Sequence, residues 1–252
     1  MFISSSSPNF DNLSPRLSSS GFRQLVDLYQ PFDEIFMGSW NGTSISCSID
    51  QVISIETQLQ QAVSISMDLS EVQLADLLVS QQWLRMIVWQ LCTKLGYLSS
   101  TTRYESLTFW YPIYIARDLM ISTYDMSEYS MQIHGIGLVS TRPPIYSTFC
   151  CLFLFQVEKL FDICYQLIDV ITYTSSMEPG ALLGETSPEE YLAYIVSLIR
   201  KLRGGEERFI PLIETRLKQS SFILKDSISS PLTMSLILSS SASPPDISET
   251  RR

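Results

Sequence analysis

Apolar residues recur at helical spacing along most of this chain. Ile55, Leu59 and Val63 stand four residues apart, which predicts a short amphipathic helix over residues 50–66. Strict alternation of polar and apolar residues between hairpin turns, the mark of half-buried strands, is not found. The pattern therefore predicts an all-α, multi-helix architecture.

One long helix is marked at both ends. Ser70 offers a hydroxyl for the N-cap, Gln73 stands at the capping-box position, and Gly96 suits the C-cap. The second half, QQWLRMIVWQL, is apolar on almost every face, which is typical of a buried helix. We therefore expect this helix to supply the centre of the core, through Trp83, Ile87, Trp89 and Leu91.

A second well-marked helix follows SPEE. Ser187 suits the N-cap, Pro188 the first helical position and Glu190 the N3 position. The helix closes with Lys201, Arg203 and the pair Gly204-Gly205, which we interpret as a helix stop. One stripe should be buried, consisting of Tyr191, Tyr194, Ile195, Leu198, Ile199 and Leu202.

The remaining helices are predicted by periodicity with fewer end signals. Pro112 suits the first turn of a helix, and Ile113, Ala116, Arg117 and Met120 would line one face of it. Further helices are predicted over Met126 to Leu138 and from Glu158 to about Tyr173. The last, EERFIPLIETRLKQ, must accommodate Pro211 within or near its first turn.

Serine and proline dominate both ends of the chain. Residues 1–20 and 239–252 hold too few apolar side chains to offset the entropy lost on ordering, so Ser/Pro-rich, disordered termini are predicted. The predicted organisation is a Ser-rich, linker-like and largely disordered segment over 1–48, a helical domain over 49–219, and a mostly disordered tail over 220–252.

Bulk composition excludes some classes of protein. Across 252 residues, 45% hydrophobic and 17% charged side chains fit one large or two small globular domains. The net charge of −9, with Lys and Arg scattered, argues against a bare nucleic-acid-binding surface. The start lacks the features of a secretory signal, so we expect an intracellular protein. The apolar block Tyr146–Val157 is shorter than the about 20 residues that a spanning helix needs, so no membrane anchor is predicted.

No catalytic, cofactor-binding or metal-binding constellation is predicted. His134 is the single histidine, and a partly buried histidine near a helix end is favoured over a Ser-His-Asp or Cys-His site. The five cysteines lack metal or disulfide spacing and are interpreted as reduced, mostly buried thiols: Cys47, Cys92, Cys150, Cys151 and Cys164.

Three acidic pairs and one aromatic run are candidates for acid–base chemistry or ligand binding. The acidic pairs Asp33-Glu34, Glu189-Glu190 and Glu206-Glu207 stand where helices start, which favours a role in offsetting the helix dipole over acid–base chemistry. The run Phe109-Trp110-Tyr111 could floor a ligand pocket, but core packing is the ordinary role of aromatic residues at this density. We expect a protein that is not an enzyme.

Five short blocks together resemble a known family. In chain order they are QQWLRMIVWQL, YPIYIARDL, MQIHGIGL, EKLFDI and YLAYIVSLIRKLRGGEERFIPL. They resemble the C-terminal, all-helical regulatory region of fungal zinc-cluster transcription factors, over roughly residues 50–219. The six-cysteine cluster with which that family binds zinc and DNA has no counterpart in this chain, so no functional residue carries over.

The resemblance implies a nuclear transcription regulator, here of a secondary-metabolite gene cluster. It implies partners in the transcription machinery or a DNA-binding regulator, and a small-molecule effector, while direct DNA binding is in doubt without the zinc cluster. The alternative is a helical ligand-binding or scaffold protein with no role in transcription.

Residues 139–156 interrupt the resemblance. Family members run from HGIGL almost directly into an EKLFD-like helix, and removing these residues gives HGIGL-VEKLFDI. Val-Ser at the start is compatible with a splice donor, Phe-Gln at the end with an acceptor, and FCCLFLF with a pyrimidine-rich tract. We hypothesise a translated, unspliced intron; the alternative is a real apolar insertion that serves as a buried strand or partner site.

Overall fold

Helices account for the regular structure of this protein. The computed structural model describes residues 15–43, 46–64, 69–132, 156–174 and 186–225, and these ranges hold helices and no β-strand, which confirms the all-α prediction. In chain order the α-helices are α1 Pro15–Tyr29, α2 Glu34–Trp40, α3 Ile49–Ala62, α4 Glu71–Leu95, α5 Tyr111–Thr123, α6 Glu128–Gln132, α7 Gln156–Thr174, α8 Pro188–Lys201 and α9 Ile210–Lys225. A 3₁₀ turn spans Glu105–Leu107 and a π-helical turn spans Gly205–Phe209.

Helix α4 is the centre of the core, as predicted. Ser70 and Gln73 form both bonds of the capping box, and Gly96 ends the helix in the left-handed conformation at φ 71°. Helices α1, α3, α5, α6 and α7 all pack against α4. Contact on so many sides explains why its second half is apolar almost all round. Trp83 and Trp89 are buried there, and the Trp89 indole donates to the Thr108 carbonyl at 2.9 Å.

Helix α5 begins with Pro112 in its first turn, as predicted, but its buried surface is wider than predicted. Ile113 and Ala116 are buried, whereas Arg117 and Met120 are partly exposed. The predicted face is thus only half buried, and α5 packs against α4, α7 and α8 together. The buried set therefore also includes Tyr111, Tyr114, Ile115 and Leu119.

Helices α7, α8 and α9 complete the bundle. Helix α7 packs against α4, α5, α8 and α9, and it begins at Gln156, two residues before the predicted start. The predicted stripe on α8 is confirmed, with five residues buried and Tyr194 partly buried. Ser187 occupies the N-cap, although its hydroxyl makes no capping bond.

Helix α8 ends at Lys201 with an extended Leu202 as its C-cap, so the predicted stop at Gly204-Gly205 is corrected: the two glycines shape the turn that follows the helix. Gly204 adopts φ 77°, a left-handed conformation that favours glycine. A Cβ on Gly205 would lie 1.7 Å from the Ile199 carbonyl oxygen, so the backbone approach itself requires glycine. The π-helical turn that follows was not predicted, and Pro211 lies in the first turn of α9.

The predicted linker-like segment over 1–48 is corrected for residues 15–43. Leu28 of α1 and Phe36 of α2 are almost fully buried, so both helices contribute to the core. Trp40 at the end of α2 lies beneath the ammonium of Lys94 in α4, 3.7 Å from the ring centre. The serine-rich composition hid the helical pattern of α1, in which Gln24 and Leu28 are buried among the side chains that the structure describes.

Several predictions lie wholly or partly outside the described residues. Of the helix predicted from Met126 to Leu138, the structure describes α6 up to Gln132. Residues 1–14, 139–155 and 226–252 also lie outside, together with most of both predicted disordered ends and of the insertion. The described part of the predicted tail includes the end of α9.

Candidate functional site

Arg85 lies in the apolar half of α4 and is only 5% exposed. The helical turn that carries it faces α3 and α5, so the side chain enters the interface of three helices. A guanidinium has five donors and stays charged, so burial requires several acceptors around it. The structure supplies them.

Four side chains receive hydrogen bonds from Arg85. Its Nε donates to Glu56 Oε1 of α3 at 2.8 Å, and Nη2 donates to the Tyr111 hydroxyl of α5 at 2.7 Å. Its Nη1 donates to Asp118 Oδ2 of α5 at 2.9 Å and to Gln82 Oε1 of α4 at 2.6 Å. We call Glu56, Gln82, Arg85, Tyr111 and Asp118 the Arg85 cluster.

The two oxygens of Glu56 have unequal surroundings. Oε1 accepts from Arg85, from the Tyr111 hydroxyl and, at 3.2 Å, from Gln60 Nε2. Oε2 is buried and has no hydrogen-bond partner. One carboxylate oxygen therefore joins α3, α4 and α5, while the other bears an uncompensated desolvation cost.

Burial and charge act in opposite directions on the Arg85 cluster. Burial lowers the pKa of Arg85, but the neighbouring Tyr111, Glu56 and Asp118 outweigh it and raise that pKa above its ordinary range. Burial, reinforced by Glu56, raises the pKa of the Tyr111 hydroxyl. The cluster is therefore a cationic arginine held by carboxylates and a neutral phenol.

A second buried polar contact joins α4 to α7. Lys159 is 3% exposed; its ammonium donates to Ser80 Oγ at 2.6 Å and lies 3.4 Å from Asp76 Oδ1. Burial lowers the pKa of Lys159, although Asp76 opposes this shift. Nearby, the Trp83 indole donates to Asp162 Oδ2 at 3.0 Å.

These polar groups hold neighbouring helices together. Glu56, Arg85 and Tyr111 are all at most 5% exposed, so a reactant approaching from solvent does not reach their functional atoms. Each bond of Arg85 to α3 or α5 instead fixes how α4 sits against those helices. The chemistry of the cluster is charge pairing and register.

One feature of the sequence points to the Arg85 cluster. Arg85 is the single charge within QQWLRMIVWQL, and a buried arginine needs acid partners. Asp118 is in IARDL and Glu56 shares the apolar stripe of α3 with Ile55 and Leu59. Which acids meet Arg85 depends on helix packing, which the sequence alone does not specify.

The acidic pairs and the aromatic run take part in helix capping, first turns of helices and packing in the part of the chain that the structure describes. Asp33 Oδ1 caps α2 by accepting from the amides of Ile35 and Phe36. The other acidic pairs lie in the first turns of α8 and the π-helical turn. Tyr111 is buried, Trp110 packs partly buried against the core and Phe109 is 43% exposed, so the aromatic run does not form one surface.

His134, Cys150 and Cys151 lie outside the described residues. The other cysteines are buried and free, as expected of reduced thiols: Cys47, Cys92 and Cys164. Burial raises the pKa of the Cys92 thiol to about 12, helped by Glu56 and Cys47, which keeps it protonated and unreactive at neutral pH.

The described ranges contain neither a group of metal ligands nor a membrane-spanning helix. No three His, Cys, Asp or Glu side chains there are grouped so that they could hold a metal ion. Among the same residues, no helix combines the length and apolar character needed to cross a membrane. Comparisons with protein-family models, with curated proteins and with solved structures found no match to this chain.

Proposed function

We propose that this chain is the helical regulatory region of a zinc-cluster-type transcription regulator that controls a secondary-metabolite gene cluster in the nucleus. It acts through contacts with the transcription machinery or a DNA-binding regulator, and through a small-molecule effector. The observation that carries the proposal is that buried polar bonds connect the blocks on which the resemblance rests.

These bonds run from the first block to two others. Arg85 belongs to QQWLRMIVWQL, and its partners Tyr111 and Asp118 belong to YPIYIARDL. Trp83 of the first block bonds to Asp162 of EKLFDI. A buried polar group in one block thus needs its partner in another, which gives their joint occurrence a physical reason and supports reading them as one domain type.

A tethered reporter assay tests the proposed function. The full chain is fused to an unrelated DNA-binding domain and expressed with two reporters, one silent and one already activated from the same operator. We expect the fusion to raise the first or lower the second several-fold against the DNA-binding domain alone. An Arg85→Ala fusion should lose the effect because its helices lose their common partner.

Arg103→Ala serves as the matched control. Arg103 is exposed and contacts its neighbour Tyr104, so losing it should leave the reporter response intact. A folded, nuclear fusion that changes neither reporter would contradict the proposal. It would favour the scaffold or ligand-binding protein with no role in transcription.

Transcript profiling separates the remaining classes. Deletion of the gene should change a coordinated set of transcripts if the protein is a regulator. A His134→Ala variant should restore that set, since the proposal gives His134 no catalytic role. Failure of this variant to restore it, at normal protein level, would favour an enzyme.

A further inference from the structure

A cleft opens where the end of α5, helix α6 and helix α8 meet. Its volume is about 100 Å³. The lining residues are Thr123, Tyr124, Met126, Glu128, Met131, Tyr194, Ser197, Leu198 and Lys201. An enclosed cavity of roughly 150 Å³ holds one benzene ring, so this smaller, open cleft admits no more than a single ring, part of which stays in contact with solvent.

The hydroxyl groups in the cleft have assigned roles. The Thr123 hydroxyl donates its only proton to the Leu119 carbonyl at 2.7 Å. The 2.9 Å contact between Thr123 and Tyr194 therefore has the Tyr194 hydroxyl as donor. With its proton used, the Tyr194 oxygen can only accept a further hydrogen bond.

Ser197 and Glu128 add acceptors of the same kind. The Ser197 hydroxyl donates to the Tyr194 backbone carbonyl at 2.7 Å, which leaves only its lone pairs for a ligand. Glu128 Oε1 accepts from Gln132 and the carboxylate offers no donor. The exposed ammonium of Lys201 also lines the cleft and can donate to a ligand.

The apolar part of the lining suits a flat hydrocarbon. Met131 and Leu198 are buried, and Met126 packs against the core, so thioether and aliphatic groups form the inner wall. Methionine adapts to ligand shape and contacts aromatic rings favourably. A charged ligand group would be costly against this wall, so the matching donor is a neutral one.

We propose that this cleft binds a small neutral aromatic alcohol of the phenol class. The ring lies against Met126, Met131 and Leu198, and the ligand hydroxyl donates to the Tyr194 oxygen. The proposal that the cleft binds a phenol is independent of the proposed function. The proposal that this ligand is the effector rests on the proposed function.

Titration with phenol tests the site on the purified full chain. Methyl signals of Met126 and Met131 are followed by NMR, and the fully buried Met86 serves as an internal reference for folding. We expect saturable shifts at Met126 and Met131 at millimolar phenol. Anisole lacks the donor, so it should bind about three- to tenfold more weakly, the range of one neutral hydrogen bond.

Two variants make the assignment specific. Tyr194→Phe should bind phenol and anisole equally, because it removes the acceptor but keeps the ring. Ser197→Leu should fill the cleft and abolish the shifts. The matched control Ala193→Leu adds the same side chain to α8 away from the lining and should leave binding unchanged.

Three results would overturn the proposal. They are no saturable shift with phenol, equal affinity for phenol and anisole in the unaltered chain, or phenol binding that persists in Ser197→Leu. Binding without a phenol-dependent change in the tethered reporter would keep the site and reject it as the effector site. If the fusion changes the reporter but the chain does not bind phenol, the proposed function is kept and the ligand site is rejected.

Discussion

Arg85 carries a charge into an apolar helix, and side chains on α3 and α5 balance it. Removing one member of such a group leaves the others buried and unpaired, which costs more than the group contributes when intact. The cluster therefore gives the three helices a defined register even if its net stabilisation is small. We therefore expect a single substitution in the cluster to lower stability more than a paired substitution that removes both charges.

Arg85→Ala should lower the free energy of unfolding by about 3–5 kcal/mol, since Glu56 and Tyr111 lose their partner. The pair Arg85→Met with Glu56→Leu should recover most of this loss, because both charges leave the core together. Urea denaturation measures both. Arg103→Ala, on the surface, should change the value by less than about 0.5 kcal/mol. A double variant as unstable as Arg85→Ala would count against the cluster as a paired unit.

Lys159 makes stability depend on pH in the alkaline range. Its pKa is lower in the folded chain than the ordinary value of about 10.4, so the unfolded chain binds more protons between these two values. The Lys159 contribution to stability should therefore rise with pH as that window is entered. Groups with raised pKa values act oppositely, the Cys92 and Cys164 thiols from about pH 8.5 and the Tyr29 and Tyr111 hydroxyls from about pH 10, so the Lys159 contribution is read as the difference between variants.

Lys159→Met tests this pH dependence by keeping the length of the side chain without its charge. Urea denaturation at several pH values from about 7 to about 9.5 should show a smaller rise than in the unaltered chain. Lys201→Met, an exposed lysine on α8, is the control and should keep the rise. An unchanged rise in Lys159→Met would show that another group titrates.

At the scale of elements, the sequence predicts a helix end correctly where the capping residues are close neighbours along the chain. Ser70 with Gln73, and Gly96, identified both ends of α4 because each bond spans only a few residues. The same rule gave Pro188 at the start of α8. Helix α1 was missed because its buried residues acquire their role from packing on α3 and α4. The Arg85 cluster was missed for the same reason, since the bonds that join its three helices span 26 to 55 residues.

The connection between α8 and α9 depends on two glycines for different reasons. Gly204→Ala introduces a side chain at φ 77° with open space around it, so it should cost about 1–2 kcal/mol. Gly205→Ala places a methyl against the Ile199 carbonyl, so it should cost clearly more and loosen α9. Thermal unfolding of the two variants compares them. Equal losses would mean that only backbone conformation matters at this connection.

At the scale of the whole molecule, Gln156 bears on the inserted segment. Its side chain is 1% exposed, its Nε2 lies 3.7 Å from Met131 Sδ, and its Oε1 has no hydrogen-bond partner. Helix α6, which precedes the inserted segment, is therefore in contact with helix α7, which follows it. The six residues 133–138 can span about 20 Å, so they suffice to connect Gln132 directly to Val157.

Deleting residues 139–156 should therefore preserve the helical fold. Leu138 would precede Val157 in place of Gln156, which exchanges an unpaired polar atom for an apolar side chain. We expect the free energy of unfolding to stay equal or rise by about 1 kcal/mol, as measured with urea and circular dichroism. Gln156→Leu in the full chain is the control for the side-chain exchange alone.

The corresponding observation in the cell is the transcript. A cDNA that lacks the codons for 139–156 would support the intron hypothesis, and one that keeps them as the major form would contradict it. A deletion protein that fails to fold would show that the segment has a structural role.

Helix α4 also gives the protein an optical signal of its own. Trp83 and Trp89 lie within it, each with its indole nitrogen bonded, and Trp40 stacks under its Lys94. Indole fluorescence shifts to longer wavelength when water replaces such surroundings. The fourth tryptophan, Trp110, packs partly buried at the start of α5, and α9 carries none. Emission therefore reports on α2, α4 and α5 rather than on α9, so fluorescence and circular dichroism will diverge if α9 unfolds first.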